Sequence, residues 1–247
     1  MTYRSPYERK LSLRRMLRRF ALIAVLLVVA LWLDGPMYRL LSVVYEPTTP
    51  AIQEVTPGAE VTDPDRRSAS ERRARLESRD WYQMFRAAGY LPTWLLIGGA
   101  VLVVARSRGR GPGGGMAIIA GAIATGLAAE ILKPVLGRHR PLGDGSLHWN
   151  PLLGGVLDPA TYNHSLGLPS SHAAVAFGAA FVVVRLYPGA GWFAIIAASG
   201  CGLTRLLAGA HAFSDVLVAV LVAWLISAVV VRLFAEEPVP ARASRFD

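Results

Sequence analysis

The residues best suited to chemistry lie in TRLLAGAHAFSD, Thr204 to Asp215, where an apolar run stops at Arg205, turns through Gly209 and restarts at His211. His211 and Asp215 are four apart. On a helix beginning at 211 the carboxylate lies one turn along the same face as the imidazole and fixes its tautomer. The opposite ring nitrogen then presents an outward lone pair, more basic than that of a free imidazole and able to act as nucleophile or base. Arg205 supplies a fixed fork of donors that suits a phosphate. The competing reading is local: Gly209 ends one helix and Asp215 favours the first turn of the next.

Composition says in what medium these residues must be held. With 53% hydrophobic and 17% charged residues among 247, the chain is too apolar for an ordinary soluble domain, and its apolar residues come in long blocks. An integral membrane protein is expected. The formal charge is +9, and of the 26 cationic residues all but Lys10 and Lys133 are arginine. Such an excess suits nucleic acid, but these residues flank the apolar blocks, where membrane topology requires them. The one cysteine, Cys201, allows no internal disulfide and reads as a small packing residue.

Residues 1–44 read as a basic cytoplasmic N-terminus and first transmembrane helix, its apolar part running from Phe20 to Leu33. To cross a hydrocarbon core of about 30 Å the helix must begin near Leu13. A cleaved signal peptide competes with this reading, but no A-x-A site precedes Asp34, so a retained helix is expected. Residues 45–80 read as a polar extracytoplasmic loop with a short surface helix after about Asp65. Its six arginines between Arg66 and Arg79 run against the positive-inside tendency; acidic neighbours and the denser basic N-terminus offset them.

Residues 81–234 form the expected core, with five more spans. The first follows an interfacial segment at Trp81 and is kinked or started by Pro92, with Arg106, Arg108 and Arg110 at its cytoplasmic exit. The others run from Met116 to Leu132, from Pro169-Ser170-Ser171-His172 to Tyr187, from Trp192 to Leu207 and from His211 to Phe234. Residues 235–247 read as a short cytoplasmic tail. The fold class is therefore all-α, a six-transmembrane-helix bundle with both termini cytoplasmic. Lys133, Ser170, Arg205 and His211 then meet at the extracytoplasmic ends of spans 3 to 6, periplasmic in a Gram-negative cell. A lipid's phosphate headgroup would sit at that boundary.

Three stretches in this order carry a resemblance. Lys133-PVLGRH-Arg140-Pro141 matches K-x6-RP, Pro169-Ser170-Ser171-His172 matches PSGH, and Thr204-Arg205-LLAGA-His211-AFS-Asp215 matches SR-x5-H-x3-D. Together they resemble the type 2 phosphatidic acid phosphatase (lipid phosphate phosphatase) superfamily, which shares its site with bacterial acid phosphatases and vanadium haloperoxidases. The resemblance covers about residues 86 to 234. Ser171 departs from the motif's glycine and Thr204 from its serine; serine keeps an amide N–H and threonine a hydroxyl.

The resemblance implies that Lys133, Arg140 and Arg205 hold the phosphoryl oxygens, joined by Ser170 and the amides of Ser171 and His172 at a helix start. It implies that His211 attacks phosphorus to give a phosphohistidine while Asp215 stabilises the cationic ring. His172 would protonate the leaving alcohol and then help activate water. No metal and no other cofactor is implied, the partner is a phosphorylated membrane lipid, and no nucleic acid is involved. Hydrolysis of a lipid phosphate or diphosphate monoester is the leading expectation. A phosphotransferase would use the same intermediate, and a protein that only binds or transports anionic lipids would need the cations but not the two histidines. Phosphatidic acid, phosphatidylglycerol phosphate, polyprenyl diphosphate and lipid A all fit these motifs.

Residues left outside the site are Glu130, expected to pair with Lys133 or face another helix, and Arg138, a candidate outer phosphate contact. His139, His148 and His164 read as surface residues. Trp94 and Trp224 are expected to pack within spans, Trp81 and Trp192 to lie in interface belts. The topology predicts that cysteine labelling reports outside within residues 45–80, inside at 108 and outside at 150. An outside signal at 108 would overturn the arrangement.

Overall fold

The chain is described by a computed structural model over residues 6–46, 64–151 and 166–234. The expectations for residues 47–63, 152–165 (His164 among them) and 235–247 lie outside the described residues. Every helix or strand longer than an isolated bridge in the described part is α-helical: α1 Pro6–Leu41, α2 Pro64–Glu77, α3 Asp80–Ala87, α4 Leu91–Ser107, α5 Gly113–Leu136, α6 Ser171–Leu186, α7 Pro188–Leu207 and α8 Phe213–Phe234. Isolated bridges join Arg138 to Trp149 and His139 to Leu166.

The breaks fall where the sequence supplies breakers. Pro92 and Pro188 occupy first-turn positions of α4 and α7, where the missing N–H costs nothing. α5 stops at Gly137, which takes φ 61° and returns its amide to the Lys133 carbonyl at 2.7 Å.

Four helical stretches are long and apolar enough to cross a bilayer: Phe20–Leu41 within α1, and α5, α7 and α8. The pair α3 and α4, bent by 64°, passes as one broken span, which makes five. α6 has 16 residues, about 24 Å at 1.5 Å per residue, less than the roughly 30 Å of a hydrocarbon core. The helices support a multi-pass membrane protein, with α6 as its short member.

That short helix is the centre of the bundle, packed against α5, α7 and α8, while α4 lies on α5, α1 on α8 and α3 on α7. Ala173, Ala174, Ala176, Ala179 and Ala180 on α6 are completely buried. Small residues let helix backbones approach closely where the surrounding solvent offers no hydrophobic drive to associate. At the α5–α6 crossing a Cβ on Gly178 would lie 2.0 Å from Thr125 Oγ1 and 2.7 Å from the Gly121 carbonyl oxygen, so only glycine fits. Outward faces carry Phe20, Leu22, Val28, Leu96, Leu225 and Leu233, all exposed, as lipid contact requires. Trp94 is buried and its indole donates to the Ala88 carbonyl at 2.7 Å. Trp224 departs from the packing expected of it: it is 47% exposed on the outer face of α8. Trp81 and Trp192 are exposed too.

The two ends of the bundle differ. At one, Arg108, Arg110, Gly114 and Tyr187 line a cavity of about 410 Å³. At the other, the end of α1 docks on the α7–α8 turn through the Val43 amide, which donates to the Leu207 carbonyl at 2.9 Å.

The crossing gives a prediction with its own control. Gly178→Ala inserts a methyl into full space and lowers stability by about 1–3 kcal/mol. Gly99→Ala, at a mid-helix position with nothing within 4 Å, is neutral or stabilising by up to about 1 kcal/mol through helix propensity. Thermal melting of both variants in one detergent checks this; equal melting temperatures would remove the close-packing account.

Candidate active site

The α7–α8 turn is fixed from above and within. Gly209 takes φ +62°, and a Cβ there would lie 2.3 Å from Val44 Cγ2 and 2.6 Å from Ser42 Oγ. The position therefore needs glycine for its dihedral and for the roof that residues 42–44 place over it. α8 begins at Phe213, two residues later than expected, so His211 sits in the turn and Asp215 is the third helical residue. The carboxylate still reaches back. Asp215 Oδ2 accepts the Ala212 amide at 2.8 Å, the return half of a capping box.

The same oxygen lies 3.4 Å from His211 Nδ1, ion-pair distance without the alignment of a hydrogen bond. Burial holds the His211 imidazole below its ordinary value of 6.5, which corrects the expectation of a ring more basic than a free imidazole; Asp215 opposes that shift, and the positive Arg205 and Arg140 reinforce it. The ring is therefore neutral at pH 7, with Nδ1 toward Asp215 and Nε2 directed away from it.

Around this ring stand cations with unused donors. Arg205, in the last turn of α7, is 4% exposed, and its Nε and Nη1 have no hydrogen-bond partner. Arg140 has a buried Nε in the same condition. Ser170 occupies the N-cap position of α6, but its side chain makes no capping bond, and its buried hydroxyl also lacks a partner. An ordinary N-cap serine would spend that oxygen on the helix. The Ser170 amide donates to the Asp215 carbonyl at 3.1 Å and so ties α6 to α8.

Lys133 and Ser171 are differently engaged. Lys133 Nζ is 2.8 Å from Glu130 Oε1, and the Ser171 hydroxyl donates to that oxygen at 2.5 Å. Glu130 thus pairs with the lysine, one of its two expected arrangements, and also joins α5 to α6. The Ser171 amide, at the start of α6, has no acceptor within the helix. The His172 ring stands edge-on to Tyr90 at 5.5 Å and feels the charges of Arg205, His211, Arg86 and Lys133. Gly89 makes room for it: a Cβ there would fall 2.8 Å from that of His172.

Arg138 corrects its expected role as an outer phosphate contact. It is fully buried and committed inward, donating to Asp215 Oδ1 in a short hydrogen bond, to Ser214 Oγ at 2.6 Å and to Asp34 Oδ2 at 3.0 Å. Two residues that sequence reasoning passed over also border the cluster. Tyr82 is buried with an unpartnered hydroxyl close enough to feel Arg205. The Arg86 guanidinium lies 6.0 Å from the Tyr82 ring centre and 5.7 Å from that of Tyr90. The available signal was an arginine inside the apolar stretch WYQMFRAAGYL. His148 is exposed, and its carbonyl accepts the His139 amide at 2.9 Å. Among the described residues no group of three or more His, Cys, Asp or Glu side chains could hold a metal ion.

A sequence model described as the PAP2 superfamily matches residues 114–238. No curated protein and no solved structure matches the chain.

A histidine held neutral by burial makes stability depend on pH. Its folded value lies below the unfolded one, so the unfolded chain binds the extra proton, and stability falls as pH drops below about 6.5. We expect the melting temperature to fall between pH 7.5 and 5.5, and to fall less in His211→Gln. Parallel pH curves for the two proteins would show that His211 is not held neutral.

Proposed function

The chain belongs to the PAP2 superfamily, and on that footing we propose that it is a metal-independent membrane phosphatase releasing phosphate from a lipid phosphate or diphosphate monoester. Superfamily membership supports phosphoester hydrolysis in general. The lipid substrate is supported by the placing of the polar cluster at one end of an apolar bundle. The single observation that carries the reading is the buried pair His211 and Asp215 beside Arg205, whose guanidinium holds two unpartnered nitrogens.

In the proposed reaction Arg205, Arg140 and Lys133 bind the phosphoryl oxygens, with the Ser170 hydroxyl and the Ser171 amide at the start of α6. Donors already fixed and desolvated stabilise developing charge without reorganising, which is the main contribution to phosphoryl transfer. Lys133 reaches the phosphoryl group with the donors it does not give to Glu130. His211 Nε2 attacks phosphorus, the bond to the leaving oxygen breaks, and His172 delivers a proton to that oxygen. The ring, now cationic, is balanced by Asp215. Water then gives a proton to His172 and attacks phosphorus, and the N–P bond breaks to free phosphate and His211. Three cations and a helix start supply the positive charge that magnesium provides elsewhere.

The site faces the extracytoplasmic side in this reading, with α6 counted as the sixth span. A phosphotransferase would share every step but the last, replacing water with a lipid hydroxyl. Binding or transport alone leaves His211 and His172 without a task.

The test is rapid-quench trapping of an acid-labile phosphohistidine on purified protein, with all assays run in excess chelator. His211→Ala is expected to abolish both label and turnover. His172→Ala should slow a lipid phosphate far more than an aryl phosphate, whose leaving group needs little protonation. Asp215→Asn should reduce turnover by about 10²- to 10⁴-fold. Label surviving in His211→Ala but lost in His172→Ala would reverse the two roles, and wild-type turnover in all three would end the enzyme reading.

A further inference from the structure

The residues matched to the superfamily, 114–238, do not complete the support of Asp215. Arg138, which holds one of its oxygens, is itself held by Asp34 of α1, about a hundred residues before it and outside the match. Asp34 is 2% exposed. Its Oδ2 accepts from Arg138 Nη1 at 3.0 Å and from Ser214 Oγ at 2.6 Å, and its Oδ1 accepts the Ser214 amide at 2.7 Å. The Ser214 hydroxyl closes the ring by accepting from Arg138 Nη1 at 2.6 Å. Every group in this network is buried, and every contact links separate segments of the chain.

A local reason explains why a carboxylate is needed. The residue before α8 is Ala212, which has no side-chain oxygen to cap the helix. The first-turn amides of α8 must then be met from elsewhere. Asp34 meets that of Ser214, the residue next to Asp215. A charged acid within a membrane helix is costly and is retained for a task. Here the task is visible in the charge order: one guanidinium lies between two carboxylates, and the second of these faces His211.

We infer that Asp34 is a positioning residue for the reaction, fixing Arg138 and the first turn of α8 so that Asp215 keeps Oδ2, which also accepts the Ala212 amide, turned toward His211. The inference rests on the reading of His211 as nucleophile. Without the Asp34 charge, Arg138 is balanced by Asp215 alone and draws that carboxylate toward itself. The cationic ring of the phosphoenzyme then loses its counter-charge, while the phosphate-binding cations stay in place. The effect belongs to turnover and not to substrate affinity.

Asp34→Asn tests this in the full-length protein purified in detergent. It keeps the shape and an acceptor for the Ser214 amide but removes the charge. With an aryl phosphate substrate, kcat is expected to fall about tenfold or more while KM stays within about threefold. Added to Asp215→Asn, the substitution is expected to cost no further activity, because Asp34 acts through that carboxylate. Wild-type kcat in Asp34→Asn, or losses that multiply in the double variant, would overturn the assignment. Should Asp34→Asn fail to fold, Ser214→Ala breaks the same ring more gently; a fall in kcat of about threefold that vanishes in the Asp215→Asn background supports the inference, and an unchanged or multiplying kcat overturns it. His211→Ala in the same preparations separates the two levels: if it keeps its turnover, the function proposed above fails, whereas a dead His211→Ala beside an unimpaired Asp34→Asn removes only the role of Asp34.

Discussion

A buried guanidinium between two buried carboxylates sets the geometry on which the rest of the polar end depends. Arg138 has no exposed surface, so its charge has no solvent to fall back on. Removing one partner from such a cluster leaves a desolvated charge at a cost of about 3–5 kcal/mol. The cluster therefore behaves as a unit. Its reach is wide because the Arg138 backbone is engaged as well: the carbonyl accepts the Gly167 amide at 2.8 Å, and the residue bridges to Trp149. α1, the segment after α5, the approach to α6 and the start of α8 all meet there. The Asp215–His211 pair, proposed as the centre of the reaction, thus inherits its position from four parts of the chain.

The charges at this end fall into two groups with different physical tasks. Arg138 and Lys133 have carboxylate partners, Asp34 with Asp215 in one case and Glu130 in the other. They organise the walls. Arg205 and Arg140 have no ion-pair partner among the described residues and keep buried nitrogens without hydrogen bonds; Arg138 Nε and the hydroxyl of Ser170 are also without them. Leaving a buried donor unmatched costs roughly 1–3 kcal/mol, and more when it is charged. That strain is held by the surrounding packing, and an incoming anion relieves it. A site built this way gains more from the doubly charged, oxygen-rich phosphoryl group than from a neutral molecule of the same size.

Local features of the chain and an expected grouping of the motif residues were readable in the amino-acid sequence; the pairing of individual side chains across distant segments was not. The breaks at Pro92 and Gly209 follow from single residues with strong backbone preferences, and the apolar blocks follow from composition. The spacing of His211 and Asp215 also pointed to a real contact, although α8 starts two residues later than the spacing assumed. Arg138 was misjudged because nothing near it in sequence reveals a partner in α1. Ser171 and Glu130, 41 residues apart, posed the same difficulty. Trp224 was misplaced because a helix that is apolar all round gives no sign of which face meets lipid. Tyr82 and Arg86 were passed over because a short helix at the bilayer boundary reads as an anchor until its neighbours in space are known.

The shortness of α6 bears on how the protein is made. A membrane insertion machinery that handles one segment at a time has little to hold in a helix of about 24 Å, and this one has almost no surface of its own to offer to lipid along its buried alanine face. It reaches a stable position only when α5, α7 and α8 are there to enclose it. Ser170, Ser171 and His172 travel with its leading end. Completion of the transmembrane assembly and arrival of these three residues beside the α7–α8 turn are consequently one event during biogenesis, so a partly inserted chain lacks part of the proposed site.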